Sequence, residues 1–252
     1  MRRLLCVTAH PDDEAGSFGG TLSLYANAGV ETSVVCLTPG QAASHRGGAK
    51  SDGELAAIRR EEFLLACRVL GVKHAILLGY SDGQLHRLDS YLVVRELVRH
   101  IRELRPQVLV TFGPEGSVTA HTDHSMASMF ASLAFHWAGR SNRFPEQMEE
   151  GLRAYGPQKL YYATAKFELP QREVRLAPAN VALDVSGFVE SKVAAFRAHR
   201  SQAPLFHMFE QVMHARGGKE YFHLAAARGF ENARQEKDLF EGVNKEQEES
   251  AA

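Results

Sequence analysis

Two short segments of the sequence concentrate side chains that bind metals and transfer protons. They read H-P-D-D-E at residues 10–14 and H-T-D-H at residues 121–124. His10 and Asp13 are three residues apart, as are the two histidines of the second segment, so at a helix start each pair can turn toward one side. Zinc accepts imidazole nitrogen and carboxylate oxygen, and a catalytic zinc site needs three protein ligands with one position left open for water. The two segments together predict a zinc-dependent hydrolytic site.

Each of these residues has an ordinary structural explanation when it is taken alone. Asp12, Asp13 and Glu14 near a helix start could serve only as caps and dipole partners. An isolated histidine is more often a packed or surface residue, and eight others are interpreted in this way: His45, His74, His86, His100, His136, His207, His214 and His223. Consecutive acids and three histidines at two converging positions are much harder to explain by capping.

The elements that must position these residues alternate between strands and helices. Apolar runs predict strands at residues 4–8, 32–37, 75–78 and 108–112, and helical patterns fall at 17–28, 54–70, 91–104 and 126–137. Further strands are expected at 160–163 and 181–185, with a helix at 186–199 and another helical stretch after Pro204. The alternation predicts an α/β, Rossmann-like fold: a mostly parallel sheet with helices on both faces and strand order 3-2-1-4-5 at its centre.

The two polar segments lie in the loops that follow the first and the fourth predicted strands. These strands flank the point where the strand order reverses, and doubly wound sheets bind their ligands there, beyond the carboxyl ends of the strands. The segments are therefore expected to face each other across one crevice.

Composition limits the class of protein. The 252 residues are 44% hydrophobic and 23% charged, close to the averages for globular proteins, so a sizeable core can form. We expect a single domain over residues 1–232 and a polar, disordered tail over 233–252, whose final residues 244–252 have almost nothing to bury. The formal net charge of -1 provides no global field for nucleic acid or an anionic membrane, and a small-molecule substrate fits better.

The cysteines and the apolar runs bear on the compartment. Cys6, Cys36 and Cys67 lie in apolar runs without C-x-x-C spacing, as expected of reduced core residues. The run at residues 4–9 is too short for a signal peptide, and no run is long enough to span a bilayer. These features predict a cytoplasmic protein. The sequence leaves the oligomeric state open, and a homo-oligomer is compatible with it.

Further motifs surround the two segments. In chain order they are Gly19-Gly20, Arg59-x-x-Glu62, Leu70-Gly71-Val72, Ser81-Asp82-Gly83, Lys192 and His199-Arg200-Ser201-Gln202. With residues 9–14 and 121–124, this series resembles the LmbE / PIG-L family of zinc-dependent N-acetylglucosaminyl deacetylases, over most of the chain up to about Phe222. H-P-D-D-E alone is a moderately specific signal, whereas all the motifs in family order are a strong one.

The resemblance implies a metal set and a general base. His10, Asp13 and His124 are the implied zinc ligands, and Fe2+ could occupy the same ligands in cells. Asp12 is the implied base for the metal-bound water, whose pKa zinc lowers to about 7. The same carboxylate could return the proton to the leaving amine.

The resemblance also implies residues that act on the substrate. His121 is the candidate for stabilising the tetrahedral oxyanion, and Asp123 would hold its ring and favour the protonated form. A helix N-cap is an equally open explanation for Asp123. Arg59 and Asp82 match positions that contact sugar hydroxyls, although Arg59 could be only a solvated helix residue and Asp82 only a turn residue. Thr122 stands where many members have proline, which removes no ligand.

The implied reaction is removal of the acetyl group from an N-acetylglucosamine-type sugar conjugate, a small molecule. Its identity stays open because residues 144–177, where a family member would choose its substrate, carry no recognisable motif. A zinc amidase or esterase acting on a non-sugar substrate would use the same groups and is the main alternative. A non-catalytic glycan-binding protein has no support, since every catalytic position is intact. A nucleotide-binding Rossmann protein is disfavoured, because the first turn lacks G-x-G-x-x-G and adjacent carboxylates would repel a pyrophosphate.

Overall fold

A seven-stranded sheet forms the centre of the molecule in the computed structural model, which describes residues 1–166, 174–216, 218–229 and 235–244. Its strand order is β3-β2-β1-β4-β5-β7-β6. The strands are β1 (Arg3–Thr8), β2 (Glu31–Cys36), β3 (His74–Leu77), β4 (Val108–Phe112), β5 (Lys159–Thr164), β6 (Val181–Asp184) and β7 (Lys219–Ala227). Strands β1 to β5 pair in parallel, whereas β7 is antiparallel to both β5 and β6. The predicted central order 3-2-1-4-5 is confirmed.

Helices cover the sheet in two groups. They are α1 (Asp13–Gly16), α2 (Gly19–Asn27), α3 (Asp52–Val69), α4 (Ser90–Leu104), α5 (Thr122–Trp137), α6 (Pro145–Glu149), α7 (Val189–Ala198) and α8 (Phe206–Arg216). Helices α1, α2 and α3 pack against α7, and α4 packs against α5. The central strands are correspondingly buried along their length, as in parallel sheets covered on both faces.

The pair Gly19-Gly20 lets α2 approach its neighbours closely. A Cβ atom on Gly19 would lie 2.9 Å from Lys192 Cγ of α7, and one on Gly20 would lie 2.6 Å from Val185 Cγ2. Lys192 is itself fully buried and forms an ion pair with Glu220 of β7. The glycines thus let the first turn of α2 pack closely against Lys192 of α7 and against Val185.

Strand β7 was not predicted from the sequence. Its residues, KEYFHLAAA, end in alanines that favour helices, so no continuous strand pattern is visible. The strand forms because β5 and β6 offer it hydrogen bonds on both sides, while Phe222 is buried in the core. Tertiary pairing outweighs local propensity here.

The predicted disordered tail is wrong for residues 235–244, which pack onto the domain. Leu239 and Phe240 are buried, and the Phe240 ring lies 5.2 Å from that of Tyr25. Glu236 is also buried and forms an ion pair of 2.7 Å with Lys159 of β5. Burial of these two apolar side chains, together with the buried ion pair, offsets the conformational entropy lost when the segment becomes ordered. The polar composition of the tail had predicted that this entropy cost would keep it disordered. The rest of the predicted tail, 233–234 and 245–252, lies outside the described residues.

Across the described ranges, no helix combines the length and the apolar character that crossing a bilayer requires.

Candidate metal and catalytic site

A cavity of about 870 Å³ opens beyond the carboxyl ends of β1 to β4. The loops that follow these four strands line it, together with residues after α7. The two polar segments face each other in this crevice: the ring of His10 lies 4.8 Å from that of His121 and 5.4 Å from that of His124. The sheet topology brings them together because β1 and β4 are neighbours.

Asp13 lies between the two segments with a fixed carboxylate. Its Oδ2 accepts hydrogen bonds from the backbone N–H groups of Ala9 (3.2 Å) and His10 (2.8 Å), and its Oδ1 lies 3.1 Å from His124 Nε2. Burial raises the pKa of Asp13, but His124 and His10 outweigh this effect and hold the pKa well below its usual range. The carboxylate therefore stays ionised, as a metal ligand must.

The other nitrogen of His124 is held by an outer group. Nδ1 lies 3.3 Å from the Gly116 carbonyl oxygen, which can only accept, so Nδ1 carries a hydrogen and Nε2 is the nitrogen available to a metal. The ring also stacks on Phe112, with 4.0 Å between centroids. An orienting bond of this kind on the second nitrogen is typical of metal-binding histidines.

His10 lies among three carboxylates. Its Nε2 is 3.0 Å from Asp82 Oδ1 and 3.4 Å from Asp123 Oδ2, and its Nδ1 is 3.5 Å from Asp13 Oδ2. Burial lowers the pKa of His10. The hydrogen bonds to these carboxylates raise it by more, so the pKa lies well above its usual value. The three carboxylates therefore favour the protonated, cationic form of the His10 ring.

The donors in the crevice fit a divalent transition metal. Ring nitrogens of His10, His121 and His124 all lie within 4.8 Å of one another, and so do donor atoms of His10, Asp82 and Asp123. Imidazole nitrogens and carboxylate oxygens are donors that zinc and iron both accept. The Asp123 Oδ1 atom is buried and has no hydrogen-bond partner among the described residues.

Asp12 is held at the crevice in an unusual backbone conformation. Its φ of 101° lies in the left-handed region that non-glycine residues avoid. Arg59 donates from Nη2 to Asp12 Oδ2 (2.9 Å) and to the Pro11 carbonyl oxygen, and from Nη1 to the Gly40 carbonyl oxygen (3.0 Å). Burial raises the pKa of Asp12 to about 6, against the opposing charge of Arg59. The structure thus directs both terminal nitrogens of Arg59, predicted to contact sugar, toward the protein itself.

The helix start at the second segment differs from the prediction. The N-cap residue of α5 is His121, whose Nδ1 accepts a hydrogen bond of 3.2 Å from the Asp123 N–H, so the N-cap explanation for Asp123 is wrong. The Asp123 Oδ2 atom accepts from the Gly83 N–H (2.7 Å) and lies near His10. The predicted bond between the Asp123 carboxylate and His121 is absent from the described contacts, in which Oδ2 of Asp123 contacts Gly83 and His10 instead.

The protonation predicted for His121 changes as well. Burial, together with the charges of His10 and His124, lowers the pKa of His121. Since Nδ1 accepts a backbone N–H, the neutral ring carries its hydrogen on Nε2. His121 is therefore a neutral donor rather than a cation.

Asp82 connects the metal-binding residues to a wall of the crevice. Besides contacting His10, it accepts through Oδ2 a hydrogen bond of 2.9 Å from the Ala42 N–H, in the loop that follows β2. That wall also includes His45 and His86, which the sequence analysis treated as packed or surface residues. No signal in the local sequence separated these two histidines from the others.

Sequence reasoning also missed the residues that close the crevice from the C-terminal half. Gln202 lines the cavity and donates to the His45 carbonyl oxygen (3.0 Å), and Leu205 lies beside it. The expected region of substrate choice, residues 144–177, does not border the cavity in the part that the structure describes, 144–166 and 174–177. The motif at residues 199–202 could have drawn attention to Gln202, but nothing in the sequence shows that this residue lies at the crevice.

The fold and the site together define an α/β protein whose histidine and carboxylate cluster lies at the switch point of a parallel sheet. Residues 5–135 match the model of the PIG-L family, described as GlcNAc-PI de-N-acetylase. The chain belongs to this family.

Individual relatives support the assignment. The chain is 31% identical over 275 residues to a 1D-myo-inositol 2-acetamido-2-deoxy-alpha-D-glucopyranoside deacetylase of Catenulispora acidiphila, covering 90% of each chain. It is 34% identical over 190 residues to the mycothiol S-conjugate amidase of Streptomyces coelicolor, covering 68% of this chain and 63% of the relative. Among solved structures, the N,N'-diacetylchitobiose deacetylase from Pyrococcus horikoshii aligns with a TM-score of 0.75 and 25% identity, covering 88% of this chain and 83% of that one.

Proposed function

We propose that this protein is a metal-dependent hydrolase that removes the acetyl group from an N-acetylglucosamine-type amino-sugar conjugate. One observation carries the proposal: His10, Asp13 and His124 converge in one open crevice. The carboxylate of Asp12, bound by Arg59, lies in the same crevice. A metal-ligand set beside a separate carboxylate that is not needed as a ligand is suited to metal-assisted hydrolysis of an amide.

His10, Asp13 and His124 would hold the metal, which we propose to be zinc, with Fe2+ as an alternative on the same ligands. When bound, the ion supplies Lewis acidity toward water and toward the amide carbonyl. The fixed Asp13 carboxylate and the Gly116 bond to His124 preorganise two of these ligands before the metal arrives. Metal binding requires His10 to lose the proton that it shares with the acids.

Asp12 acts as the general base and then the general acid. Its carboxylate borders the cavity, and its pKa of about 6 allows it to be ionised at neutral pH and still hold a proton briefly. It takes a proton from the attacking water and delivers it to the leaving amine. Arg59 orients this carboxylate, in addition to its proposed place beside the sugar.

His121 stabilises the oxyanion of the tetrahedral intermediate. Its ring is exposed in the crevice, and the Nε2–H of the neutral tautomer is the donor. The backbone N–H of Asp123 fixes this tautomer, while the Asp123 carboxylate orients His10. Asp82, between His10 and the β2 loop, is proposed to contact substrate hydroxyls at the rim.

The substrate class rests on the relatives and on the size of the crevice. The deacetylases of Catenulispora acidiphila and Pyrococcus horikoshii are named for N-acetylated amino sugars. A cavity of about 870 Å³ is within the usual range for small-molecule sites and exceeds what one sugar ring needs, which favours a conjugate. The three cysteines are buried free thiols, which supports the proposed location in the reducing cytoplasm.

The proposal is tested by incubating the zinc-loaded protein with a panel of N-acetylated sugar conjugates and measuring acetate, alongside metal analysis. At least one conjugate is expected to release acetate. Asp12→Asn should keep the metal and lose turnover by about 100- to 10,000-fold. Asp89→Asn is the control, since in the described part of the chain that carboxylate only caps α4 and asparagine caps equally well. Undiminished turnover by Asp12→Asn would remove Asp12 from the mechanism.

A second candidate is an amidase acting on an amide other than an N-acetyl sugar. The similarity to the mycothiol S-conjugate amidase favours it. Adding conjugates that bear a larger acyl group to the panel separates the two: release of amine without acetate from these conjugates would support the amidase.

A further inference from the structure

The unusual backbone of Asp12 needs a restraint beyond its bond to Arg59. At φ 101° and ψ −23°, Asp12 has a backbone conformation that L-residues adopt rarely and keep only when surrounding contacts hold them in it. Its carboxylate direction depends on this conformation, because a relaxed φ would turn the side chain away from the crevice. The contacts on the Asp12 backbone therefore bear directly on the proposed base.

The buried side chain of Glu14 provides that restraint. Its Oε2 accepts a hydrogen bond of 3.0 Å from the Asp12 N–H, and its side chain is fully buried. Its other oxygen, Oε1, lies 2.6 Å from His199 Nε2, which is equally buried. Burial lowers the pKa of His199, but the charge of Glu14 raises it more, so the two form an ion pair.

His199 anchors this carboxylate to a rigid part of the fold. It is the C-cap residue of α7, which packs on α1, α2 and α3. The next turn is fixed too, since Glu62 of α3 accepts both the N–H and the hydroxyl of Ser201, each at 2.7 Å. Residues 185 positions apart thus connect the C-terminal half of the chain to the backbone of Asp12.

Neither member of this pair borders the cavity within the described part of the chain. Both side chains are fully buried, so any contribution to turnover acts through the residues that they contact. We propose that Glu14 and His199 are positioning residues for Asp12: the buried pair holds the Asp12 N–H so that its carboxylate stays directed into the crevice. The inference rests on the proposed function, because it gives Asp12 the role of base.

The test compares two replacements of Glu14. Glu14→Leu removes the acceptor for the Asp12 N–H, and we expect kcat to fall by about 10- to 100-fold with KM and zinc content unchanged. Glu14→Gln keeps an oxygen for the N–H and an amide for neutral His199, and is expected to restore kcat to within about threefold of the wild type. His199→Leu and His199→Gln form a second pair with the same expected order, which decides the matter if Glu14→Leu does not fold.

The matched control removes another buried ion pair on the same helix. Lys192→Met with Glu220→Gln loosens α7 without touching Asp12, and its kcat should stay near that of the wild type. Wild-type kcat in Glu14→Leu, a loss that lies in KM, or an equal loss in the control would each overturn the inference.

The outcome also separates this inference from the proposed function. If Asp12→Asn is inactive while Glu14→Leu is fully active, only the positioning role fails. If no conjugate is hydrolysed by the wild type, or if Asp12→Asn is fully active, the proposed function fails first.

Discussion

The crevice and the interior around β5 and α7 both bury charged side chains, yet they balance charge differently. In the interior each lysine has its own carboxylate: Lys159 pairs with Glu236, and Lys192 pairs with Glu220. In the crevice four aspartates, Asp12, Asp13, Asp82 and Asp123, share one arginine, Arg59, and the ring of His10, whose cationic form they favour.

This difference in charge balance separates charged residues that stabilise the fold from charged residues suited to binding a cation. A matched buried pair satisfies itself, and breaking it leaves one uncompensated charge in the interior. An excess of buried carboxylates is unfavourable without a cation, and such sites are often functional. Changes in the crevice should therefore reduce metal binding and turnover with little effect on stability, and changes in the interior should do the reverse.

The largest effect is expected from His124→Ala, which removes a proposed ligand. Replacing even an outer partner of a metal ligand costs about 10- to 100-fold in affinity, so zinc affinity should fall by more than about 100-fold, and turnover with it. The thermal midpoint of the metal-free protein should change little. The measurements are zinc per chain after dialysis, acetate release and a thermal melt.

His74→Ala is the matched control, because this half-exposed histidine on β3 contacts only Glu31 in the described contacts. It should keep both zinc and activity. Stoichiometric zinc in His124→Ala would contradict the proposed ligand set.

The reverse effect is expected from Lys159→Met. Glu236 would be left buried without its cation, which should lower the free energy of unfolding by about 3–5 kcal/mol while turnover per folded molecule stays the same. Urea unfolding gives the first quantity and acetate release the second. Lys237→Met, an exposed change in the same segment, should cost less than about 0.5 kcal/mol. A large loss of turnover in Lys159→Met would break the distinction between the two regions.

Much of the crevice could be predicted from the sequence because it depends on topology. Apolar runs that end at Thr8 and Phe112 located two strands, and the rule for parallel sheets then placed the loops after them, with both polar segments, at one edge. The position of each loop could be predicted because the strand before it has a recognisable apolar pattern.

Prediction failed where position depends on a single rotamer or on distant pairing. His121 rather than Asp123 caps α5, because one ring nitrogen reaches back to a backbone N–H, and residue spacing cannot reveal this. Likewise, no local pattern shows that Leu239 and Phe240 find a buried site beside Tyr25, or that Gln202 reaches the β2 loop. These contacts join residues far apart in the chain.

A smaller effect on the crevice is expected from Gly40→Ala. Gly40 has φ +67°, and an added Cβ would lie 2.6 Å from Arg59 Cζ, so Arg59 must shift away from Asp12. We expect kcat to fall by about 10-fold, with a loss of stability of about 1–2 kcal/mol from the left-handed backbone.

Gly48→Ala separates these two causes. Gly48 lies in the same loop at φ +89°, with nothing within 4 Å of its added Cβ. It should lose similar stability and keep its kcat, as measured by urea unfolding and acetate release. Equal kcat values for the two variants would show that Arg59 does not orient Asp12.

The smallest effect concerns the acid limb of stability. Burial raises the pKa of Glu220, but Lys192 and the Thr21 bonds lower it more, so the folded pKa lies below the unfolded one. The unfolded chain then binds the proton first, and this group contributes stability that is fully present above a pH of about 4.3 and is lost as the pH falls through the folded pKa. The double variant Lys192→Met with Glu220→Gln lacks this group, so its free energy of unfolding should fall less steeply than that of the wild type between about pH 5 and pH 3. Urea titrations at several pH values measure both slopes. Parallel curves would mean that the pair is not a source of acid sensitivity, and that matched interior charges influence stability less than the comparison with the crevice implies.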